Sequence, residues 1–286
     1  DITDRKKIEE AIRKETALVD LLKTVAVAAN ECESVEDALQ ICLDKVSQLM
    51  KWQYGHAALP ADDSPDELVT LPVWYRDDEE RFRKVTQEVK NLRFRRGRGM
   101  IGRVFGSGKA IWVKDVTKDP NFIKKKIAED AGFKGSFSFP ILSQGKVLGV
   151  LTFFSAQAED PDEKLLEVMT SIGTQLGQVI VRKQAEKELY ESRQLLKIVM
   201  DTIPQAIWWK NRDSVFIGAT SFVANVPGFE SPDEMIGLTD YDMPWKKEEA
   251  DFFRECDLRV MNSGVAEMNI IELQSQSDGK QAWLST

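Results

Sequence analysis

A single histidine, His56, and three cysteines, Cys32, Cys42 and Cys256, are the only imidazole and thiol groups among 286 residues. One imidazole excludes every site built from two or more, zinc-protease centres and facial iron triads among them. It also argues against His-dependent catalytic triads. His56 lies in an early strand and reads as a satisfied core or surface histidine, not as a ligand. Three cysteines are too few and odd in number for a disulfide scaffold, and they suit a reducing cytoplasm. Cys256, inside Phe252-Phe-Arg-Glu-Cys-Asp257, reads as a small packing residue. The glycines of Gly97-Arg-Gly-Met-Ile-Gly102, with Gly106 and Gly108, imitate a phosphate loop. They lack the Gly-Lys-Ser/Thr ending and a βαβ frame, so tight turns with positive φ are the reading, not nucleotide hydrolysis.

Charge is unevenly spread. Residues 81–126 hold 15 Lys and Arg against three acids, in a chain of net charge −8. Either this is an anion-attracting rim, with Arg93, Arg95, Arg96, Arg98 and Arg103 as donors, or it is a solvated face balancing acidic helices. Lys124-Lys-Lys126 reads as an exposed helix face. The aromatic residues are not interleaved with this charge as a stacking platform, so no nucleic-acid partner is expected. No paired acid–base or nucleophile constellation stands out, so the expectation is a regulatory, non-enzymatic fragment.

These residues need elements to hold them. A composition of 42% hydrophobic and 30% charged residues is that of a globular chain, and the length suits two domains. No apolar run approaches the roughly 18 residues of a membrane span. Direct membrane contact is therefore not expected, and a cytoplasmic location is. Residues 1–29 read as one helix, with Ile8, Leu22 and Ala29 on one heptad and Ile12, Val19 and Ala26 a turn away. A second helix spans 34–50, capped by Ser34. Strands follow at 54–59, 68–75 and 110–113, with a hairpin of 136–142 and 146–155 around Ser143-Gln-Gly145. From 162 to about 200 the pattern is helical without a proline. Its apolar face is Leu165, Met169, Ile172, Leu176 and Val179 until the segment 181–187. Beyond it, Leu189, Leu196, Val199 and Ile203 follow heptad spacing, which asks for a partner helix. Strands at 206–210 and 215–219, short helices near 221–226 and 231–236, and a helix at 247–262 come next. A strand at 265–276, a turn at 277–280 and a return strand from 281 close the chain.

Two blocks carry a family resemblance. Phe94-Arg-Arg-Gly-Arg-Gly-Met-Ile-Gly-Arg-Val-Phe-Gly-Ser-Gly-Lys-Ala-Ile-Trp-Val-Lys-Asp-Val116 resembles a GAF domain, as does Phe139-Pro-Ile with Gly145-Lys-Val-Leu-Gly-Val-Leu-Thr-Phe-Phe154. The match spans roughly 17–183. Asp201-Thr-Ile-Pro-Gln-Ala-Ile-Trp-Trp-Lys-Asn-Arg-Asp213 resembles the opening of a PAS domain. Gly237-Leu-Thr-Asp-Tyr-Asp-Met-Pro-Trp245 and Ser277-Asp-Gly-Lys-Gln-Ala-Trp283 fit its later segments. The departures from that pattern are Thr220, where an asparagine is usual, and Pro227 just before Gly228. Asp1-Ile-Thr-Asp-Arg-Lys6 resembles the exit of a preceding PAS domain.

The resemblances imply an α+β fold: a GAF domain, its antiparallel sheet flanked by helices, joined by a long signalling helix to a PAS domain lacking its last strand. The implied divisions are 1–16 as linker helix, 17–183 as GAF, 184–200 as coiled-coil connection and 201–286 as PAS. The implied function is the sensory module of a multi-domain signalling protein, foremost a sensor histidine kinase. The alternatives are a ligand-free dimerisation scaffold or the input region of a diguanylate cyclase or phosphodiesterase. Expected ligand contacts are Arg96, Arg98, Met100, Phe105, Trp112 and Phe139 in the GAF cleft, and Trp208, Phe216, Trp245 and Trp283 in the PAS cleft. The expected dimer seam is Leu176, Val179, Leu189, Leu196, Val199 and Ile203. No metal and no cofactor is expected, since the cysteine of bilin-binding relatives and the histidine of haem PAS domains have no counterpart. The expected partners are a second copy of the chain and an unidentified small molecule.

Overall fold

The computed structural model describes residues 2–224, 229, 231–275 and 281–286. They form two units. The first ends at Lys187 and the second begins at Glu188, so the boundary falls within one helix. Among the described residues no helix is long and apolar enough to cross a membrane.

The first unit opens with α1 (Ile2–Glu31) and α2 (Val35–Met50), followed by β1 (Tyr54–Ala61), β2 (Ser64–Arg76), α3 (Glu79–Lys90) and β3 (Arg93–Arg95). Then come α4 (Gly99–Ser107), β4 (Ile111–Val113), α5 (Lys125–Ala131), β5 (Gly135–Ser143), β6 (Lys146–Ser155) and α6 (Glu163–Thr202). The six strands form one antiparallel sheet in the order β3-β2-β1-β6-β5-β4. Local chemistry sets the helix ends. Ser34 accepts a hydrogen bond from the Asp37 amide to start α2, and Asp78 does the same for the Arg81 amide to start α3. Glycine in the left-handed region ends α4 at Gly108 and α5 at Gly132.

Strand alternation divides the core in two. On β6, Phe153 packs with α1, α2 and α6, while its neighbour Phe154 packs with α3 and α5 on the other face. The first cluster takes Leu18, Leu21 and Val25 from α1, and Leu39, Cys42, Leu43 and Val46 from α2. The buried stripe of α1 is therefore not the expected heptad: Ile12 and Val19 are exposed, and Leu22 is only half-buried. The side chains of Ile8 and Ala29 lie outside the described residues. Helix α6 lays Leu165, Met169, Ile172, Leu176 and Val179 on the same cluster. It sits close to the sheet because Gly173 and Gly177 face it. A Cβ at Gly173 would stand 2.1 Å from the Pro140 carbonyl oxygen, and one at Gly177 2.0 Å from that of Leu142.

This corrects two of the six residues of the expected dimer seam. Leu176 and Val179 are buried in the core of their own unit, because the face they share with the two glycines is the one resting on β5. Leu189, Leu196 and Val199 are 53%, 60% and 47% exposed. Ile203 lies just past the helix end and is half-buried. The buried face stops where the apolar phase changes: Ile180 is buried and Val181 is exposed.

The second unit contains β7 (Trp208–Lys210), β8 (Phe216–Ala219), α7 (Ser221–Ala224), two 3₁₀ turns (Pro232–Met235 and Asp240–Asp242), α8 (Lys247–Ser263), β9 (Ile271–Ser275) and β10 (Gln281–Ser285). Strands β7 and β8 pair antiparallel, and so do β9 and β10. Phe216, Met235 and Met243 make its buried apolar cluster. Thr220, where the resemblance expects asparagine, is buried. Its hydroxyl donates to the Gln205 carbonyl and accepts from the Ile207 amide, tying the start of β7 to the end of β8. The strand expected from Val265 begins only at Ile271, where pairing with Ser285 starts. The expected turn at 277–280, and Pro227, lie outside the described residues.

Candidate ligand-binding cavity

On the face of the first unit's sheet opposite α6 lies a cavity of about 460 Å³. Its floor is β1 and β6, where cross-strand pairs Tyr54↔Phe154 and His56↔Thr152 present all four side chains to it. Val85 and Val89 of α3 form one wall, and Phe133 and the segment 122–128 form another. The N-terminus of α4 closes the rim with Gly99, Met100 and Ile101. This is a volume in the usual range for small-molecule sites, with the usual apolar lining.

The polar groups inside are few. His56 is 2% exposed, and its Nδ1 has no hydrogen-bond partner among the described residues. Its ring stacks on Phe94 (6.2 Å, 25°) and Phe154 (6.3 Å, 12°). Burial pushes its pKa down to about 4, with a backbone hydrogen bond at Ala57 pulling weakly the other way, so the ring is neutral at neutral pH. The Thr152 hydroxyl pairs with that of Ser138 at 2.8 Å. The Tyr54 hydroxyl is 3.4 Å from that of Thr86, and burial pushes its pKa up. At the rim Arg93 is engaged by Asp63 (2.8 and 2.9 Å) and Glu67 (3.2 Å), and its hydrogen bonds hold the Asp63 carboxyl below the usual range. Arg95, Arg98 and Lys124 also line the rim, and they are exposed. Helix α4 starts at Arg98 with no side-chain cap, which leaves its first amides available to an acceptor. Among the described residues no group of three or more His, Cys, Asp and Glu stands close enough to hold a metal.

Of the six residues expected at this cleft, Arg98 and Met100 line it. The other four do not. Arg96 stacks over the Phe105 ring at 3.8 Å and donates to its carbonyl, a pair of their own on a separate shallow surface. Five residues along α4 turn Phe105 well away from Met100. Trp112 packs edge-on against Trp52 (5.2 Å, 72°) and donates to the Glu159 carbonyl. Phe139 shares the β5 face of Phe137 and Ile141, towards α6. The expected arginine donors divide likewise: Arg103 is paired with Asp119 and Arg93 with two acids. His56, Tyr54, Thr152 and Phe154 were missed. The available signal was a histidine and a threonine at facing, alternate positions of two otherwise apolar strands.

The second unit has a cleft of about 410 Å³. Trp208 and Trp245 line it. Phe216 is buried in the apolar cluster beside Trp245. Trp283 is a correction: it is 72% exposed, on the side of β10 turned away from the cleft. The buried positions of the paired strand are Glu272 and Gln274, and Trp283 stands opposite Leu273, on the other face.

The family model of the GAF domain matches residues 32–181. The methyl sulfide methyltransferase-associated sensor of Methanosarcina acetivorans is 22% identical over 249 residues, 83% of this chain and 23% of its own length. The chain thus spans under a quarter of that relative. The GAF domain of a phosphoenolpyruvate-protein phosphotransferase from Coxiella burnetii is 18% identical, with a TM-score of 0.52 over 60% of this chain and 98% of its own. The free methionine-R-sulfoxide reductase of Neisseria meningitidis, solved with its substrate, is 18% identical with a TM-score of 0.49, covering 59% of this chain and 91% of its own. The matched stretch takes in the whole six-stranded sheet and more than half of the chain, and the chain belongs to the GAF domain family.

Proposed function

We propose that this chain is the sensory part of a larger signal-transduction protein, of the sensor histidine kinase kind. A small molecule enters the cavity of the first unit, and α6 carries the change to a dimeric helical linker. The second unit is a PAS domain that takes part in the same relay. The observation that carries the reading is the cavity, apolar and of ligand size, built on strands whose other face supports α6. On β6, Thr152 and Phe154 line the cavity while Leu151 and Phe153 pack under the helix. Any shift of that strand on ligand entry is felt on both faces, as a population shift between two helix settings requires. The relative named as a sensor supports the same reading.

Native mass spectrometry, set against the denatured mass of the same sample, tests it. The expected result is a dimer carrying an extra small mass that disappears on denaturation. Ile123→Trp should abolish that mass, since Ile123 is exposed at the cavity mouth and its replacement costs the core little. A dimer with no extra mass, unchanged by Ile123→Trp, favours the second reading, a ligand-free dimerisation scaffold. The exposed stripe Leu189, Leu196 and Val199 is the observation on its side.

A further inference from the structure

The buried face of β9 is polar. Glu272 and Gln274 are its two buried residues, while Ile271, at the start of the strand and on its other face, is 60% exposed. A strand in a purely structural sheet puts its apolar residues inward and its polar ones out, because burying a carboxylate or an unpaired amide costs free energy. Here both polar side chains line the 410 Å³ cleft of the second unit.

The rest of the cleft sharpens this. Lys210 Nζ donates to both Asp240 oxygens (2.7 and 2.8 Å) and to Asp257 Oδ2 (2.8 Å). Glu267 is paired with Arg259 at 2.9 Å. Glu272 accepts from the Thr286 hydroxyl at 2.9 Å. Four carboxylates, those of Asp240, Asp257, Glu267 and Glu272, line the cleft, and the cations paired with them are Lys210 and Arg259. Two negative charges are left over. Two further side chains lining the cleft are more than nine-tenths buried with an unpartnered oxygen among the described residues: Gln274 Oε1 and Ser214 Oγ. Trp208, Trp245 and Phe253 supply aromatic surface, the last two edge to face at 4.9 Å.

We propose that this cleft binds a small organic cation, a primary or substituted ammonium with an apolar body. Glu272 and Asp257 take the ammonium, Gln274 Oε1 is its third acceptor, and the body lies on Trp208 and Trp245, where a cation is also drawn to the ring faces. Burial, with the neighbouring carboxylates adding to it, pushes the Asp240 and Glu272 carboxyls up. An arriving cation relieves that, so binding weakens as these groups protonate at low pH. The site is separate from the GAF cavity and stands whether or not that cavity holds a ligand.

The test is a ¹H–¹⁵N NMR titration of the full chain with three probes of one shape: benzylammonium, benzyl alcohol and benzoate. The seven tryptophans give seven indole signals, and Trp245→Phe and Trp208→Phe assign the two that matter. Benzylammonium is expected to shift the Trp245 and Trp208 signals saturably and leave Trp52 and Trp112 unmoved. The alcohol and the carboxylate should bind at least about tenfold more weakly. Glu272→Gln and Asp257→Asn should each raise the Kd for benzylammonium about tenfold, with the ligand-free indole spectrum retaining its dispersion. No shift with benzylammonium, or the same affinity for benzyl alcohol or benzoate, overturns the proposal, and those comparisons need no variant to fold.

Discussion

His56 holds a neutral ring in a place that tolerates no charge, and this fixes a pH dependence. With its folded pKa near 4 and an unfolded one near 6.5, the unfolded chain binds the proton more readily between those values. The stability His56 contributes is therefore present above about pH 6.5 and lost as pH falls towards 4. Between pH 7 and pH 5 the loss amounts to about 2 kcal/mol. Urea unfolding of the chain and of His56→Phe at both pH values checks this. The unmodified chain should lose about that much more than the variant, and equal losses would sink the assignment. The sequence places His56 in a strand, as a satisfied core or surface residue, and stops there. Whether a buried imidazole finds a partner depends on what stands across the sheet, here Thr152, whose hydroxyl is already taken by Ser138.

At the scale of elements, α6 holds the most consequence. Its two close contacts with β5 leave no room for a methyl group, so Gly173→Ala and Gly177→Ala should each cost about 1–3 kcal/mol. Thr174→Ala, on the exposed face between them, should stay within about 0.5 kcal/mol. Thermal or chemical unfolding separates these outcomes, and a neutral Gly177→Ala would refute the tight fit. Beyond Lys183 the helix is exposed on every side through Val199, with Leu189, Leu195, Leu196 and Ile198 uncovered. A solitary helix of that length is marginal in water. Replacing Leu189 and Leu196 together by glutamate should make the chain monomeric in sedimentation experiments and lower its helicity. A dimer unchanged by that pair would remove the seam. The strongly periodic elements were legible in sequence: α2, the β5–β6 hairpin and α6 fall within a few residues of the expected bounds. Helix α3 was not, although Phe82, Val85 and Val89 mark one face, because the charges around them dominate its composition. The strands expected at 54–59 and 68–75 are longer than their apolar pattern shows. The strands continue to Ala61 and from Ser64 because backbone pairing between β1 and β2 accepts side chains of any polarity.

For the molecule as a whole, each unit has its own buried cluster, and each should unfold as its own step. Calorimetry should show two transitions. A molecule filling the first unit's cavity should raise only that unit's step, by about 2.7 kcal/mol at about a hundredfold excess over Kd. A single transition, or an equal rise in both, would contradict the division. What sequence could not reach at this scale is the allocation of side chains to clefts. Phe105 and Met100 share a helix and Phe153 and Phe154 share a strand, yet each pair parts to opposite sides. Which side faces a cavity is decided by the layers above and below, and those are assembled from segments far apart in the chain, such as Leu18 of α1 and Val179 of α6.

The two glycines of α6 also limit how that helix can move. To screw forward by one residue would bring Thr174 and Gln178 onto the carbonyl oxygens of Pro140 and Leu142, where not even a methyl fits. Sliding and rolling are thus blocked, and pivoting about the two contacts is what remains. From Gly177 to Lys187, where the first unit ends, the helix runs roughly 15 Å at 1.5 Å per residue. A tilt of about 5° at the sheet becomes a swing of about 1.3 Å at that point. On the proposed reading the two contacts act as a pivot on the far side of the sheet from the cavity, so that a fraction of an ångström in the strands would tilt the helix.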